Sequence, residues 1–476
     1  MILYMETLAL NPYLPENEYV PDGEPHIFGG RVYVYGSHDQ FNGKGFCLLD
    51  YVCYSTDIDD LSSWRYEGVI YKRKQDPDGK DGTYHAMYAP DVVQGNDGKY
   101  YLYYFLGHKG YICVARCDTP AGKYEYYGHV KYNDGVLLGE KKEPFQFDPG
   151  VFKDDDGTIY MYTGFSPKIS NPIMMGSHKT SKKGAMGFIL DDDMLTIKKG
   201  PIFIGVPSIH SSKETGFEGH EFFEASSMRK FDGKYYFIYS SINGHELCYA
   251  VSDNPLSGFK YQGTLVSNGD IGLYAKDIKD GKNPTGNTHG SLIKIKDKYY
   301  VFYHRHTNRH AFSRQACAET IRFEDGKFYQ AELTSCGLQE NNVLPGTREY
   351  PARIACHLYS EKKRSYFSLM FKVRKGIRPY ITQENDKQLI KNFSNGSIVE
   401  FKYFDLTGTK SIGVNIKGQV NGVIEVYNSD GLIGEIVIKN SVITPLNIEK
   451  PLKEKDVLRF KYKGKGHLDF LSFKLN

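Results

Sequence analysis

The sequence predicts an all-β protein with two domains, a five-bladed β-propeller followed by a jelly-roll-like β-sandwich. The composition combines 39 Tyr, 28 Phe and 49 Gly with a single Trp, which is typical of many short strands joined by tight turns. A hairpin pattern occurs five times in the first three quarters of the chain and then stops. We therefore expect the propeller at residues 1–345 and the sandwich at 346–476.

Each repeat has a short strand, a turn usually marked by Gly or Asp-Gly, and an aromatic strand. The repeats start at Glu24 (EPHIFGGRVYVYGS), Ala89 (APDVVQGNDGKYYLYYF), Asp148 (DPGVFKDDDGTIYMYTG), Glu224 (EASSMRKFDGKYYFIYS) and His289 (HGSLIKIKDKYYVFYHRH). These starts are 65, 59, 76 and 65 residues apart, which is regular enough for one structural unit. Five such units predict five blades.

The segments between the hairpins have the pattern of the outer strands of the blades. Residues 47–71 follow the first hairpin and contain the only tryptophan, Trp64. Residues 107–130 and 247–266 share a scheme of strand, Asp-x-Pro turn and aromatic strand. The shared scheme indicates that the repeat unit extends beyond the hairpin to a whole blade.

Residues 346–476 lack the repeat and read as alternating strands separated by polar turns. The segments are SIVEFKYFDL, SIGVNIKG, GVIEVYN, EIVIKN, VLRFKYKG and HLDFLSFKL, a pattern that predicts a β-sandwich. This region contains no Trp, so an aromatic platform for sugar would need Tyr or Phe. We expect the sandwich to support the propeller rather than to capture polysaccharide.

The bulk composition excludes several classes of protein. Of 476 residues, 40% are hydrophobic and 25% are charged, which is ordinary for a folded globular protein and argues against disorder or a membrane partner. The 60 basic and 57 acidic residues give a formal charge of only +3, and the lysines are scattered along the chain. No nucleic-acid partner is therefore implied.

The N-terminus and the cysteines indicate the compartment. The segment MILYMETLALNPYLP has no basic region, long apolar core or small-residue cleavage site, so we expect a cytoplasmic protein, or a secreted one if the N-terminus was trimmed. The eight cysteines lie mostly in strand-like runs, which favours buried free thiols. Cys113 and Cys117 have the nearest approach to a metal-binding spacing, but no second close pair supports zinc.

The first residues of the five repeats should meet at the propeller axis. If the first strand of each repeat is the innermost of its blade, three acids, an alanine and a histidine share one pocket. Glu224 lies beside Phe222 and Phe223, and such apolar surroundings can raise the pKa of a carboxyl so that it acts as a proton donor. A solvated glutamate at a strand end is the alternative, and the shared repeat register argues against it.

The order of the blade motifs resembles glycoside hydrolase family 43. The motifs are EP in the first blade, YAPDVV in the second, FDPGVFKDDDG in the third, FFEASSMRK in the fourth and HGSL in the fifth. The C-terminal region, with GVIEVYNSDGLIGEIVI and GHLDFLSFKL, is similar to family 6 carbohydrate-binding modules. The resemblance implies an enzyme that removes terminal arabinofuranose or xylose from plant hemicellulose oligosaccharides or polysaccharides with inversion, using three carboxylates.

The resemblance also implies roles for individual residues. Glu224 matches the general acid, and Asp148 matches the aspartate that tunes and orients the acid. The general base of the family is an aspartate followed by proline; here Glu24, followed by Pro25, stands at that position. Asp22, two residues upstream on the same face, is an alternative base. Inverting hydrolases hold acid and base roughly 6.5–9.5 Å apart, a gap that opposed blades can supply.

Further residues are implied to bind substrate or metal. Arg314, in FSRQACAE, matches an arginine that contacts the sugar being cleaved off, and Phe222 and His289 are further candidate substrate contacts. His289 matches an axial histidine that coordinates a metal, often calcium, so a structural Ca²⁺ is possible while the chemistry requires no cofactor. A core histidine bonded to backbone is the alternative for His289.

Other metal interpretations have weaker support. Asp154 to Asp156 are better explained as the acidic turn of a hairpin than as a calcium loop. His304, His306 and His310 invite a zinc site but lack supporting ligands in the sequence.

Two other function classes remain open. A non-catalytic glycan-binding propeller would follow if the change at Glu24 abolished the base. The second class is a related propeller glycosidase that acts on galactose or fructose. Retaining fructosidases carry Arg-Asp-Pro and Glu-Cys where this chain has Phe147-Asp148-Pro149 and Glu224-Ala225, which argues against a fructosidase.

Overall fold

The structure is a computed structural model and describes most of the chain. The described residues are 8–79, 86–107, 110–140, 143–169, 175, 178–361, 378–439 and 442–476. The prediction about a signal peptide falls partly on residues 1–7, outside this range.

The first two thirds of the chain form five antiparallel sheets arranged as propeller blades. The strands of the first blade are β1 (Glu24–Phe28), β2 (Arg31–Tyr35), β3 (Tyr51–Asp57) and β4 (Asp60–Tyr71), and those of the second are β5 (Met87–Gln94), β6 (Tyr100–Leu106), β7 (Ile112–Cys117) and β8 (Glu125–His129). The third blade has β9 (Gly150–Lys153), β10 (Ile159–Thr163), β11 (Gly184–Leu190) and β12 (Ile197–Pro207), and the fourth has β13 (Phe222–Phe231), β14 (Lys234–Ser241), β15 (Leu247–Ser252) and β16 (Lys260–Val266).

The fifth blade has three strands and closes the ring. Its strands are β17 (Leu292–Ile295), β18 (Lys298–His306) and β19 (Arg314–Ile321), and a small hairpin of β20 (Phe323–Glu324) and β21 (Lys327–Phe328) follows. Gly23, next to β1, pairs with Gly290, next to β17, in an isolated parallel bridge. The first strands of the repeats are therefore innermost, and the first and last blades meet directly.

Aromatic side chains fill the spaces between the blades, which accounts for the Tyr and Phe content. Between the second and third blades, Phe105, Phe145, Phe147 and Phe165 are all buried and contact one another with ring centroids 5.1–5.9 Å apart. Large rings suit this position because each blade twists away from its neighbour and leaves a wide gap at the rim.

The C-terminal domain is a sandwich of two sheets. One sheet contains β22 (Leu344–Pro345), β24 (His357–Ser360), β27 (Ser397–Asp405), β29 (Gly422–Asn428), β30 (Gly431–Lys439), β31 (Val442–Thr444) and β33 (Asp456–Gly464). The other contains β23 (Glu349–Pro351), β25 (Tyr380–Glu384), β26 (Lys387–Ser394), β28 (Ser411–Lys417), β32 (Leu446–Asn447) and β34 (His467–Leu475). β22 pairs with β27, so residues 344–345 belong to this sheet.

A buried ionic cluster joins the two domains. His357 of the sandwich lies between two buried carboxylates, with its Nε2 2.6 Å from Asp270 of the propeller and its Nδ1 2.8 Å from Glu400 of the sandwich. Burial lowers the pKa of His357, but these two carboxylates outweigh burial and raise the net pKa. Polar contacts of this kind fix one orientation of the domains because a displaced partner would leave a buried charge unpaired.

Helices contribute little to this fold. The described helices are the 3₁₀ turns Arg73–Gln75, Pro77–Gly79, Ile278–Asp280 and Ala352–Ile354, and none of them is long and apolar enough to cross a bilayer. All eight cysteines are free thiols, and seven of them are buried.

Candidate active site

The candidate catalytic residues lie at the ends of innermost strands. Asp22 precedes β1, Asp148 precedes β9 and Glu224 lies within β13. Asp22 and Asp148 have positive φ angles of 59° and 46°, and Ala225, next to Glu224, has a φ of 66°. Left-handed backbone is uncommon at non-glycine residues and costs free energy, and it also occurs elsewhere in this chain, for example at Asn385 and Asp386 of the sandwich.

A bulge in the fourth blade orients Glu224. Glu224 pairs with Ser240 of β14, and the register of β13 against β14 shifts on both sides of this pair. One shift lies between Phe222 and Glu224, and the other lies between Glu224 and Ser227, where regular pairing resumes. An extra residue in one strand turns the following side chains toward the other face of the sheet. The bulge therefore sets which side chains of FFEASS face the axis.

Asp22 is buried and is hydrogen-bonded to Arg314 and His304. Its Oδ1 accepts a hydrogen bond of 2.9 Å from Arg314 Nη1, and its backbone N–H donates to His304 Nδ1 at 3.2 Å. Burial alone raises the pKa of Asp22, but the charge of Arg314, followed by His304 and His289, outweighs it and lowers the net pKa. Asp22 is therefore ionised at neutral pH.

Glu24 is more deeply buried than Asp22 and has a different environment. Its Oε2 accepts hydrogen bonds from Arg229 Nη2 at 2.7 Å and from Ser227 Oγ at 3.0 Å. Burial opposes ionisation, but Arg229 and His289 outweigh it and lower the pKa of Glu24. The Glu24 side chain is 1% exposed and the Asp22 side chain is 6% exposed, so both carboxylates are buried in the absence of substrate.

His289 lies between two carboxylates from different blades. Its Nε2 is 3.4 Å from Glu24 Oε1, and its Nδ1 is 3.6 Å from Asp148 Oδ2. Burial raises the pKa of Asp148 to about 7 against the opposing effect of His289, and the charges of Glu224 and Asp22 add to the rise. The pKa values of Asp22 and Asp148 are therefore shifted in opposite directions. Such a difference allows two carboxyl groups of one site to be in different protonation states at the same pH.

Glu224 borders on an aromatic wall formed by its neighbour Phe223. The Phe223 ring contacts Phe165 at 5.4 Å and His245 at 4.3 Å between ring centroids. The Glu224 side chain is 13% exposed, with Oε1 3.8 Å from His245 Nδ1. Partial exposure leaves room for a glycosidic oxygen to approach the carboxyl group.

Phe222 is not placed to contact substrate, and this corrects the sequence prediction. It is fully buried and packs against Phe237 and Tyr239 in the core between the third and fourth blades. Phe223, whose ring contacts His245, is the aromatic side chain near Glu224, because the bulge interrupts the strand alternation at this point.

Arg314 forms a buried fork between two acids. Its Nε donates to Asp39 Oδ2 at 2.8 Å and its Nη2 donates to Asp39 Oδ1 at 2.9 Å, while Nη1 bonds to Asp22. The Phe46 ring lies over the guanidinium, 5.0 Å from its carbon. A bidentate carboxylate contact fixes the guanidinium plane, so Arg314 orients Asp22 as well as neutralising it.

His289, the predicted calcium ligand, is surrounded by acidic and cationic groups. Burial lowers the pKa of His289, but Asp148 and Glu24 outweigh burial and raise it well above its usual range. The Arg229 guanidinium also lies on Glu24. The positive charge of Arg229 at this point disfavours a divalent cation.

The alternative histidine and aspartate sites have ordinary structural partners. His304 and His306 both bond through Nε2 to the backbone oxygen of Asn287, at 2.8 Å each, and neither belongs to a metal-like cluster among the described residues. Asp154 pairs with Lys230 at 2.5 Å, as expected for a hairpin turn.

Sequence reasoning missed Asp39, Arg229 and Ser227. Asp39 lies in YGSHD, at the end of the first hairpin, and nothing in its local pattern indicates that it meets Arg314, which is 275 residues away. Arg229 and Ser227 lie two residues apart in FFEASSMRK, where alternation could have placed both on one face of β13.

Comparison with known proteins agrees with the geometry. Residues 28–328 match the family described as Glycosyl hydrolases family 43. A xylosidase/arabinosidase of Thermoclostridium stercorarium is 47% identical over 99% of both chains, and a xylosidase/arabinosidase of Bacteroides ovatus is 29% identical over 61% of this chain and 87% of its own.

One similar solved structure spans nearly the whole chain, and another spans about two thirds of it. A family 43 arabinoxylan arabinofuranohydrolase from Bacillus subtilis, solved with cellotetraose, covers 98% of this chain and 97% of its own with a TM-score of 0.51 and 20% identity. The RS223 β-xylosidase covers 66% of this chain and 96% of its own with a TM-score of 0.51 and 25% identity. From the family match and the whole-length relative, this chain belongs to glycosyl hydrolase family 43.

Proposed function

We propose that the enzyme is an inverting exo-glycosidase that releases terminal xylosyl or arabinofuranosyl residues from hemicellulose oligosaccharides, with Asp22 as general base and Glu224 as general acid. The assignment of the base rests on the different partners of the two first-blade carboxylates, Asp22 and Glu24. The pKa values of both carboxyl groups are lowered, but Asp22 is held in place by Arg314 of the fifth blade, whereas both hydrogen bonds to Glu24 Oε2 come from residues of the fourth blade. The substrate class follows the xylosidase/arabinosidase that matches the whole chain.

Asp22 would accept a proton from the water that attacks the anomeric carbon. As the new C–O bond forms on one face of the sugar, the glycosidic C–O bond breaks on the other, which inverts the configuration. Arg314 keeps Asp22 ionised before the reaction. The water and the side chains supply every proton transfer, so the chemistry requires no cofactor.

Glu224 would donate its proton to the departing oxygen. Burial raises the pKa of Asp148 to about 7, and the charge of Glu224 adds to the rise. His289 bridges from Asp148 to Glu24 and fixes the position of Asp148. In this proposal, Asp148 orients and tunes the acid.

The test of the proposed function is hydrolysis with product stereochemistry. We expect release of nitrophenol from the arabinofuranoside, the xyloside or both, little release from the galactoside, and first appearance of the inverted anomer by proton NMR. Monosaccharide should be the first product from a xylo-oligosaccharide. Retained configuration would contradict the assignment of Asp22, and no hydrolysis of any glycoside would favour the glycan-binding alternative.

Replacing Asp148 by asparagine should change the pH dependence. In the wild type we expect kcat to fall as the pH rises through about 7, because Asp148, whose pKa burial raises to about 7, then loses its proton. In Asp148→Asn this descending limb of the profile should leave the region of pH 7, and kcat should fall by about tenfold or more. Profiles of kcat against pH measure both effects, and an unchanged limb in the variant would contradict the role of Asp148.

The sandwich is proposed to brace this site rather than to act as a separate glycan-binding module. Its strand β25 lies beside the loop that leads to Arg314, where Thr382 Oγ1 donates to Asn308 Oδ1 at 3.0 Å. Tyr19 donates from its hydroxyl to Gln383 at 2.8 Å, and its backbone oxygen accepts from the N–H of Asp39 at 2.8 Å. Contacts of the sandwich therefore reach the acid that orients Arg314.

A further inference from the structure

Arg229 reaches from the fourth blade across the propeller axis. It lies on β13, its side chain is 11% exposed, and its guanidinium contacts the first and fifth blades. Such a position is unusual for an arginine, because a buried guanidinium must find a partner for every N–H group.

Every N–H group of this guanidinium has an acceptor. A guanidinium has five N–H donors in a fixed plane. The five acceptors are Leu292 O at 2.9 Å from Nε, Met228 O at 2.8 Å and Ser227 Oγ at 3.2 Å from Nη1, and Glu24 Oε2 at 2.7 Å and Pro25 O at 3.2 Å from Nη2. The site is therefore built for a guanidinium, with a carboxylate, a hydroxyl and three carbonyls around it.

These acceptors are also the oxygen types that a hard cation such as calcium prefers. They come from three blades, so a positive charge placed among them ties the inner strands together. The side chain of Arg229 supplies that charge as part of the chain itself. We propose that Arg229 is the axial cation of this propeller, that it takes the position a divalent ion would need, and that it thereby positions His289 and Asp148 through Glu24.

The neighbouring acidic cluster does not provide a second ion site. Glu24, His26 and Asp91 have ligand atoms within 4.8 Å of one another. However, Asp91 Oδ1 is 2.7 Å from His26 Nε2, its Oδ2 accepts from Val151 N at 2.8 Å, and Glu24 is bonded to Arg229. A cation added here would lie beside a guanidinium and would compete for carboxylate oxygens that already have donors.

The connection to the catalytic residues is short. Arg229 holds Glu24 by one oxygen, the other oxygen of Glu24 is 3.4 Å from His289, and the opposite ring nitrogen is 3.6 Å from Asp148. If Glu24 moves, the imidazole loses one of the two carboxylates between which it lies. Arg229 is therefore a positioning residue three contacts removed from Asp148, and this second half of the inference depends on the proposed function.

The experiment compares the wild type with Arg229→Met and with the charge-balanced double variant Arg229→Met/Glu24→Gln. After dialysis against a chelator, each protein is titrated with CaCl₂ by calorimetry and followed by thermal unfolding. The wild type should show no calcium binding and no change in Tm. Arg229→Met should lose about 5–10 °C in Tm because Glu24 is left buried without its partner, and the double variant should recover part of that loss.

Kinetics separate positioning from simple stabilisation. In the double variant we expect kcat to fall about tenfold with KM nearly unchanged, and the limb of the pH profile near pH 7 to shift, since the support of Asp148 is altered while the sugar contacts are kept. The matched control Arg322→Met removes an arginine whose side chain is 63% exposed and should leave Tm and kcat as in the wild type.

The outcomes distinguish this inference from the proposed function. Stoichiometric calcium binding by the wild type, or a rise of its Tm with calcium, would overturn the axial-cation assignment whether or not any glycoside is cleaved. Wild-type kcat and an unchanged pH profile in the double variant would overturn the positioning role. Loss of kcat in the double variant with a calcium-insensitive wild type supports both parts.

Discussion

Replacing Asp22 by asparagine is expected to lower kcat/KM by about 10³-fold, within the range that removal of a general base produces. Asparagine keeps the size of the side chain and can still accept a hydrogen bond from Arg314, so the fold should be retained. What the variant loses is the negative charge that takes the proton from water. Initial rates on nitrophenyl xyloside or arabinofuranoside, with Tm measured alongside, test this expectation.

The matched comparison is Glu24→Gln, which changes the carboxylate two residues away. Glutamine can still accept from Arg229 and Ser227, and Glu24 is proposed to act at a distance, so we expect a loss of only about tenfold. A lower Tm should accompany it, because the buried guanidinium would then have no anionic partner. The ratio of the two losses decides which carboxylate is the base.

Azide provides a second, independent test of the same assignment. In Asp22→Ala, a small anion that needs no deprotonation should replace the activated water, restore turnover and yield a glycosyl azide of inverted configuration. Glu24→Gln should not respond to azide. The opposite pattern, with rescue in the Glu24 variant and near-normal activity in Asp22→Asn, would assign the base to Glu24.

Replacing Glu224 by glutamine is the second change with a large expected effect. A sugar leaving group is a poor one and requires protonation, so kcat/KM on xylobiose should fall by about 10³-fold. A dinitrophenyl leaving group departs without protonation, so on the dinitrophenyl xyloside we expect a loss of no more than about tenfold. Comparing the two substrates isolates the acid function from binding.

The control for this prediction is Phe223→Leu, which alters the aromatic wall beside Glu224 and leaves the carboxyl group intact. In Phe223→Leu, kcat/KM should fall by a similar factor on xylobiose and on the dinitrophenyl xyloside, because packing and binding are affected rather than proton donation. Equal losses for both substrates in Glu224→Gln would mean that another residue protonates the leaving group.

Parts of the site that depend on register could be predicted from the sequence. The hairpin repeat places Glu24, Asp148, Glu224 and His289 at matching positions, and three of these do meet at the axis, with His289 between Glu24 and Asp148. This prediction succeeds because strand alternation and turn residues are local properties.

Phe222 shows where local patterns fail. The bulge on both sides of Glu224 changes which face each neighbour occupies, and neither FFEASS nor its turn signals mark the extra residue. A shift of one residue reverses the facing of a strand, so Phe222 is buried in the core and Phe223 is at the site.

Composition, repeat spacing and alternation by themselves determined the class of fold, the five blades, the following sandwich and the strand ends that carry the acids. Only the tertiary structure gives Asp22 and Glu24 their different partners. Their partners lie far along the chain, with Arg314 292 residues from Asp22 and Arg229 205 residues from Glu24. A carboxylate takes its protonation state from burial and from neighbouring charges, and these exist only once the blades have closed into a ring.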